Sequence, residues 1–368
     1  MILQRELTNL DILFIINKIE KELVQNHARL DQFYDLDTKF IFRFKLKEGK
    51  KDLIFLPPRY LFLRDREKIE PEPTPFAISL KNLLLNKIIK YIRQLNNDRI
   101  IELGFENGSI IFECTKKGNL ILISEGKIKN IKFKIEEKER ILEIGKEYFA
   151  PKNEKKEIKK ELIMQILKKP ELQNEKIVVA ISRNIQFPAF YLNKIFESEG
   201  WDPKKKIIEF NDNEKEKIAY RIEEFYYNLL NNKIKPILKD GEIFLVDERF
   251  IGKIENYKET DLFKAFEEAY DSEMRSLQEI EKTKRINRLL NRLNHQEERL
   301  KELEIQIKEE KEKGEWIIKH AYEITELIKK YKEIKSRKDK NEMEKFLKEN
   351  RLEIVKNGIK IKVDNLND

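Results

Sequence analysis

Asp98-Arg99 is the pair in this chain best suited to hold a ligand, because an acid and a base stand side by side where a helix is expected to hand over to a strand. Neighbours entering a strand point to opposite faces, so they are poorly placed to neutralise each other, and the planar fork of arginine suits phosphate or the edge of a base. Ordinary polar contacts at such a junction would also satisfy both residues. Asp11 has a structural role open to it: three residues after Thr8, it completes a capping box and complements the helix dipole. Lys87, Lys90 and Arg93 recur every three residues, which on a helix makes a basic stripe, ordinarily a solvated face.

Other chemistries lack their residues. The histidines, His27, His295 and His320, fall in different elements, and Cys114 is the only thiol, so no zinc site of Cys/His type can be built. There is no glycine-rich phosphate loop, Walker lysine, nucleophile elbow or zincin helix. With 68 acidic residues, pairing any two as acid and base carries no information. No metal, no cofactor and no catalysis are expected. A lone cysteine forms no intrachain disulfide and suits a reducing compartment, so a cytoplasmic location is expected. No apolar run approaches the ~18 residues of a membrane helix, so no membrane partner is expected.

The elements that must position these residues belong to an α+β chain of two or three domains, 368 residues long and 40% hydrophobic. Its 76 basic and 68 acidic residues leave a net charge of +8, which allows polyanion binding without demanding it. Residues 1–150 read as a β-rich domain. A capped helix spans about Thr8 to Leu23, and a hairpin pairs Phe40–Lys47 with Asp52–Leu56 until Pro57-Pro58 stops it. A stiff proline connector from Glu70 to Pro75 leads to a helix from Phe76 to Leu95, ended by Asn96-Asn97. Short strands follow, turning at Asn107-Gly108, Lys117-Gly118 and Glu125-Gly126.

Residues 151–258 read as a charged linker, Lys152 to Lys160, and a helical module with a helix-turn-helix around Ile177 to Trp201, a helix over Lys215–Leu230 and a strand at Ile243–Val246. Residues 259–312 form a first coiled-coil helix capped at Thr260-Asp261. Ile286, Leu293, Leu300 and Ile307 are spaced by seven, with Leu289, Gln296 and Leu303 three residues after the first three, an a/d seam. Gly314 is expected to break that helix. Residues 313–368 then supply a helix over Glu315–Tyr331 and a hairpin through Asn357-Gly358. An unpaired seam needs another chain, a second copy, or sequence beyond Asp368.

Together these residues resemble the N-terminal part of the NFACT family, the ribosome quality-control factors called NEMF in animals and RqcH in prokaryotes. Asp11 is followed by the run Asn26 to Tyr34, which includes Arg29, and then by Pro73 to Leu83, which includes Lys81. Asp98-Arg99-Ile100-Ile101 stands where the family carries its Asp-Arg signature, and Phe263–Tyr270, Leu293–Glu297 and Lys313–Ile318 match the coiled coil and the step into a middle domain. The resemblance implies an N-terminal domain like that of formamidopyrimidine-DNA glycosylases, then a helix-hairpin-helix-like module, a coiled coil and a partial small α/β middle domain.

It also implies binding to a large ribosomal subunit, through its RNA and protein, that still holds peptidyl-tRNA. Recruitment of further tRNA would promote C-terminal tailing of the stalled chain, with alanine in prokaryotic relatives, and the ribosome would form the peptide bonds. Asp11, Asp98, Arg99, Arg29 and Lys81 become the implied tRNA site, with Lys87, Lys90 and Arg93 as candidate contacts to the RNA backbone.

The chain departs from the family in two places. Gln186-Phe187-Pro188 replaces the glycines of the helix-hairpin-helix turn, so contact to nucleic acid through backbone amides is not expected there. It also stops at Asp368, before the returning helix and the C-terminal NFACT-R domain, so a fragment or a second polypeptide is expected. A DNA glycosylase would need an N-terminal proline nucleophile, and Met1-Ile2-Leu3 offers none. An interaction adaptor like the bacterial relatives called fibronectin-binding proteins is the remaining alternative.

Overall fold

Thr8 sets the start of the fold. The computed structural model describes residues 5–66, 74–115, 118–137, 140–151, 158–247, 256–356 and 358–361. In it, Thr8 Oγ1 accepts the Asp11 N–H at 3.2 Å and Asp11 Oδ2 accepts the Thr8 N–H at 2.7 Å, closing the expected capping box. Helix α1 (Asn9–Ile19) follows and ends in a single π-helical turn, Glu20–Val24.

Two antiparallel meanders make the N-terminal β-rich part. The first runs in chain order through β1 (Arg29–Leu36), β2 (Lys39–Leu46), β3 (Gly49–Leu56) and β4 (Tyr60–Asp65). The expected hairpin is its centre, with Phe42 opposite Leu53. Pro57-Pro58 does not stop the pairing: Leu56 faces Tyr60 across a turn that holds both prolines, where neither costs a ladder hydrogen bond.

The second meander runs β5 (Ile89–Gln94), β6 (Ile100–Phe105), β7 (Gly108–Glu113), β8 (Asn119–Ser124) and β9 (Lys127–Ile131), with a ribbon of β10 (Ile135–Glu137) and β11 (Arg140–Leu142) after it. Phe112 of this sheet lies 5.0 Å from Phe42 and 5.1 Å from Phe55 between ring centroids, so the two sheets share an aromatic core.

The helix expected from Phe76 to Leu95 is divided. Helix α2 (Pro75–Leu84), capped by Thr74, stops where Leu85 turns extended and Asn86 takes φ +63°. The chain then enters β5, so Lys90 and Arg93 lie on a strand and Lys87 in the connection, and no helical stripe exists. Apolar residues at Leu80, Leu84, Ile88, Tyr91 and Leu95 satisfied a helical period, yet Ile88, Ile89 and Ile92 are β-branched and suit the sheet that receives them. Asn96 and Asn97, at φ +52° and +51°, close the β5–β6 turn instead of ending a helix.

Helices α3 (Lys160–Leu167), α4 (Ile177–Ile185), α5 (Ala189–Glu199) and α6 (Asp212–Leu230) form the expected helical module. The strands β12 (Ile234–Lys239), β13 (Glu242–Asp247) and β14 (Lys258–Glu259) make a small sheet after it. Asp261 Oδ1 accepts the Phe263 N–H at 2.9 Å and so caps α7 (Leu262–Lys319), whose first turns pack Tyr270 5.7 Å from Tyr60 and 5.6 Å from Phe62. Gly314 lies inside α7 and does not break it. One solvated glycine costs a helix only about 1 kcal/mol relative to alanine, and the interruption falls at His320.

Chain contacts divide the protein into Met1–Ser276 and Leu277–Asp368. A continuous core from Leu7 to Tyr270 fills the first unit. In the second, α8 (Ala321–Arg337), α9 (Lys340–Glu349) and the hairpin β15 (Leu352–Val355) and β16 (Gly358–Ile361) enclose a small core of Tyr331, Ile334, Phe346 and Leu352. Residues 70–73 of the proline connector, 152–157 of the charged linker, Met1 to Leu3, Lys117 and Asn357 lie outside the described residues.

The first sheet also buries an ion pair. Arg43 and Asp52 are cross-strand neighbours joined by two hydrogen bonds of 2.8 Å, and Arg43 donates a third, at 2.8 Å, to the Tyr34 hydroxyl. Removing one partner strands a buried charge. Asp52→Ala is expected to cost about 3 kcal/mol in urea denaturation, and Arg43→Met with Asp52→Leu is expected to recover most of it.

Candidate nucleic-acid interface

Asp11, in the first turn of α1, is buried. Arg5 grips it with both guanidinium nitrogens, at 2.7 and 2.9 Å, the Thr8 hydroxyl donates at 2.7 Å, and the Tyr191 hydroxyl of α5 donates to its other oxygen. Arg5 also donates to the Tyr191 oxygen at 3.0 Å and stacks 4.0 Å over the Phe190 ring, while the Leu245 N–H of β13 reaches that oxygen at 3.3 Å. Burial alone would raise the Asp11 carboxyl, but the Arg5 charge and the hydrogen bonds from Arg5, Tyr191 and Thr8 outweigh it and hold the group below the usual carboxylate range. Burial, together with the Asp11 charge, pushes the Tyr191 phenol well up, so it remains a donor.

Thr8 also lines a cleft of about 560 Å³ made by three turns. The start of α1 supplies Glu6 to Asn9, the β5–β6 turn supplies Asn97 to Arg99, and the α4–α5 region supplies Ser182, Arg183 and Gln186 to Pro188. One side chain fixes their spacing: Asn9 Nδ2 donates to the carbonyls of Asn97 and Gln186, both at 3.0 Å. Gln94 Nε2 donates to the carbonyls of Asn9 and Asp98, both at 2.8 Å, and locks the same turn from its other side.

Arg99 stands at the rim, one-third exposed, with Nη1 3.2 Å from Glu6. Asp98 accepts the Arg99 backbone N–H at 2.7 Å. Arg183, 61% exposed, pairs with Glu175 outside the cleft. Its four charged lining residues, Glu6, Asp98, Arg99 and Arg183, balance one another. Such a lining favours a ligand carrying both anionic and hydrogen-bonding groups over a bare polyanion.

The sequence-derived residues therefore separate. Asp98 and Arg99 line the cleft; buried Asp11 does not, but it is bonded to Thr8, which does. Arg29 begins β1 and donates to the Asn86 carbonyl at 3.2 Å, and Lys81 on α2 sits 5.8 Å from the Tyr34 ring, so neither lines the cleft. Lys90 pairs with Glu106 at 3.1 Å and Arg93 with Glu102 at 2.6 Å, both along the second sheet. The seam residues of α7 lie outside the cleft and are exposed.

Asn9, Gln94, Ser182 and Arg183 escaped the sequence reading because polar residues at a helix start or on a solvated face carry no pattern. The Gln186–Pro188 turn, discounted for lacking glycine, lines the cleft all the same: Gln186 adopts φ +55° without one.

Comparison with known proteins follows the same architecture. The profile of a family described as NFACT N-terminal and middle domains matches residues 11–367. The archaeal Rqc2 homolog aRqcH of Methanocaldococcus jannaschii is 24% identical over 95% of this chain and 55% of its own length. Ribosome quality control complex subunit 2 of Saccharomyces cerevisiae is 24% identical over 34% of this chain and 12% of its own. The chain thus spans little more than half of one curated relative and a small part of the other.

Among solved structures, the N-terminal part of the fibronectin/fibrinogen-binding protein of Streptococcus suis superposes with a TM-score of 0.53 at 16% identity, covering 72% of this chain and 99% of that one. The fibrinogen binding protein of Staphylococcus aureus gives 0.54 at 16% identity, over 72% and 98%. These two likenesses establish the fold.

The Asp11 network generates a stability prediction. A carboxyl held low stabilises the fold above its unfolded value, near 3.8, and loses that contribution as pH falls from there through its lower folded value. Asp11→Asn is expected to cost about 3 kcal/mol at neutral pH and to flatten the acid limb of stability against pH, read by urea denaturation. Asn9→Ala is expected to loosen the cleft at a smaller cost, about 1 kcal/mol, with faster hydrogen exchange confined to the β5–β6 and α4–α5 turns.

Proposed function

The chain belongs to the NFACT family of ribosome quality-control proteins, and from that premise we propose that it engages a large ribosomal subunit carrying peptidyl-tRNA and recruits tRNA for C-terminal tailing of the stalled chain. The observation that carries the reading is the meeting of two turns in one cleft: the Asp98-Arg99 signature and the α4–α5 turn face the same opening, clamped by Asn9. Arg99 supplies a planar donor for phosphate or a base edge, and Asp98 and the turn carbonyls supply acceptors that a bare cationic patch lacks. The chain positions its ligands and performs no bond chemistry. Peptide bonds would form in the ribosome's own centre, and alanine is the expected residue added.

A second reading, an interaction adaptor, draws on the names of the two similar solved structures and on the exposed apolar stripe of α7. It requires no RNA and is indifferent to Arg99.

Binding of the purified protein to large subunits carrying peptidyl-tRNA, against free tRNA and intact ribosomes, separates the two. Wild type is expected to select the occupied subunit. Arg99→Ala is expected to weaken binding and to lower the slope of log affinity against log salt by about 1, with an unchanged melting temperature. Negligible binding by both proteins leaves the adaptor.

A further inference from the structure

Lys169, Lys176, Lys204, Lys205 and Lys206 are all exposed, and backbone hydrogen bonds gather them on the helical module. The Ile177 N–H donates to the Lys205 carbonyl at 3.1 Å, and the Ile207 and Ile208 N–H groups donate to the carbonyls of Glu175 and Gln173 at 3.0 and 3.1 Å. The Gln173 side-chain amide donates to the Lys169 carbonyl at 2.9 Å. Lys176 and Lys206 thereby become directly opposed antiparallel partners. Side chains so opposed share a face, and like charges there repel.

The neighbouring carboxylates are engaged elsewhere. Glu175 accepts from Arg183 at 2.5 and 2.6 Å, Asp202 accepts the Lys204 backbone N–H at 2.9 Å, Glu209 accepts the Lys206 backbone N–H at 2.6 Å, and Glu216 takes Lys160 at 2.6 Å. Glu171, on the turn after Lys169, points to solvent. Among the described residues, no ion pair joins any of the five ammonium groups to a carboxylate. Lys90 and Arg93, by contrast, are spent on Glu106 and Glu102.

We infer that these lysines form a surface for the phosphate backbone of RNA, which carries the ligand of the cleft onward over the helical module. The inference rests on the RNA reading of the cleft and assigns backbone contacts that the cleft itself does not supply. The two sites are contiguous: Arg183 lines the cleft, and its guanidinium is held by Glu175, the residue before Lys176. A phosphate set between Lys176 and Lys206 replaces their repulsion with two attractions, and the counterions it releases add affinity without reading sequence. Lysine is a compact point charge that suits phosphate, and it is depleted from protein–protein interfaces, whose anchors are aromatic residues and arginine. The patch therefore fits a nucleic-acid backbone better than an acidic protein.

Binding of the full chain to large subunits carrying peptidyl-tRNA, measured across a range of salt, tests it. Lys176→Gln with Lys206→Gln is expected to weaken binding about tenfold and to lower the slope of log affinity against log salt by about 2. Lys127→Gln with Lys129→Gln, the same loss of charge at exposed positions of β9, is expected to change affinity by less than about twofold. Lys176→Glu gives Lys206 a partner, so it is expected to raise the melting temperature of the free protein while weakening its binding to RNA. A merely solvated face would not move those two readouts in opposite directions. An unchanged slope in the Lys176 and Lys206 double variant, or an equal loss in the β9 control, would overturn the inference while a loss in Arg99→Ala left the cleft reading standing. A wild type without affinity for the subunit would overturn both. Binding to polyglutamate that the double variant loses, with RNA binding intact, would overturn it in favour of an acidic protein partner.

Discussion

The Asp11 carboxylate closes the cap of α1 and at the same time neutralises a guanidinium that the helical module covers. Arg5, Thr8 and Tyr191 converge on it from the chain's start, the α1 cap and α5, and β13 reaches Tyr191 through the Leu245 N–H. A charge buried so deeply persists only where it is paired and hydrogen-bonded, so α1 and α5 meet where Arg5, Thr8 and Tyr191 can all reach it. Asn9, the residue after the capping Thr8, then joins the turns that line the cleft.

The cleft is therefore a product of docking. Asn9, the first residue of α1, reaches carbonyls on two turns that lie far from each other in sequence, and Gln94 repeats the device from the edge of the second sheet. Backbone carbonyls held by amide side chains present a rigid polar wall, and Arg99 stands at its rim with a weak exposed partner, Glu6. Rigid walls with a replaceable ion pair at the edge suit a ligand that brings its own anion. The two solved structures that share the fold do so at 16% identity, which shows how far sequence can drift while the sheets and helices keep their places.

Much of this was legible beforehand. The capping box at Thr8 and Asp11, the central hairpin, the Asn107-Gly108 turn and the pair of helices around Gln186 each rest on local signals a few residues long. The reading failed where two local signals competed. From Leu80 to Leu95 an apolar period near four fitted a helix, while β-branched residues and Asn86 fitted a break and a strand, and the vacant edge beside β6 decided the matter. Gly314 and Pro57-Pro58 failed for the opposite reason: each residue is a genuine breaker, but a solvated helix interior tolerates one and a turn absorbs the other.

By itself, the sequence determined many of the elements' periods and the family resemblance, and it singled out Asp98-Arg99 as a candidate, because caps, turns and motifs are written within a few residues of where they act. Tertiary structure alone decided that Asp11 is a buried support, that Lys90 and Arg93 are spent on strand ion pairs, and that Asn9 joins Asn97 to Gln186. Those contacts span up to 180 residues of chain, and no local pattern records a distance that only packing closes.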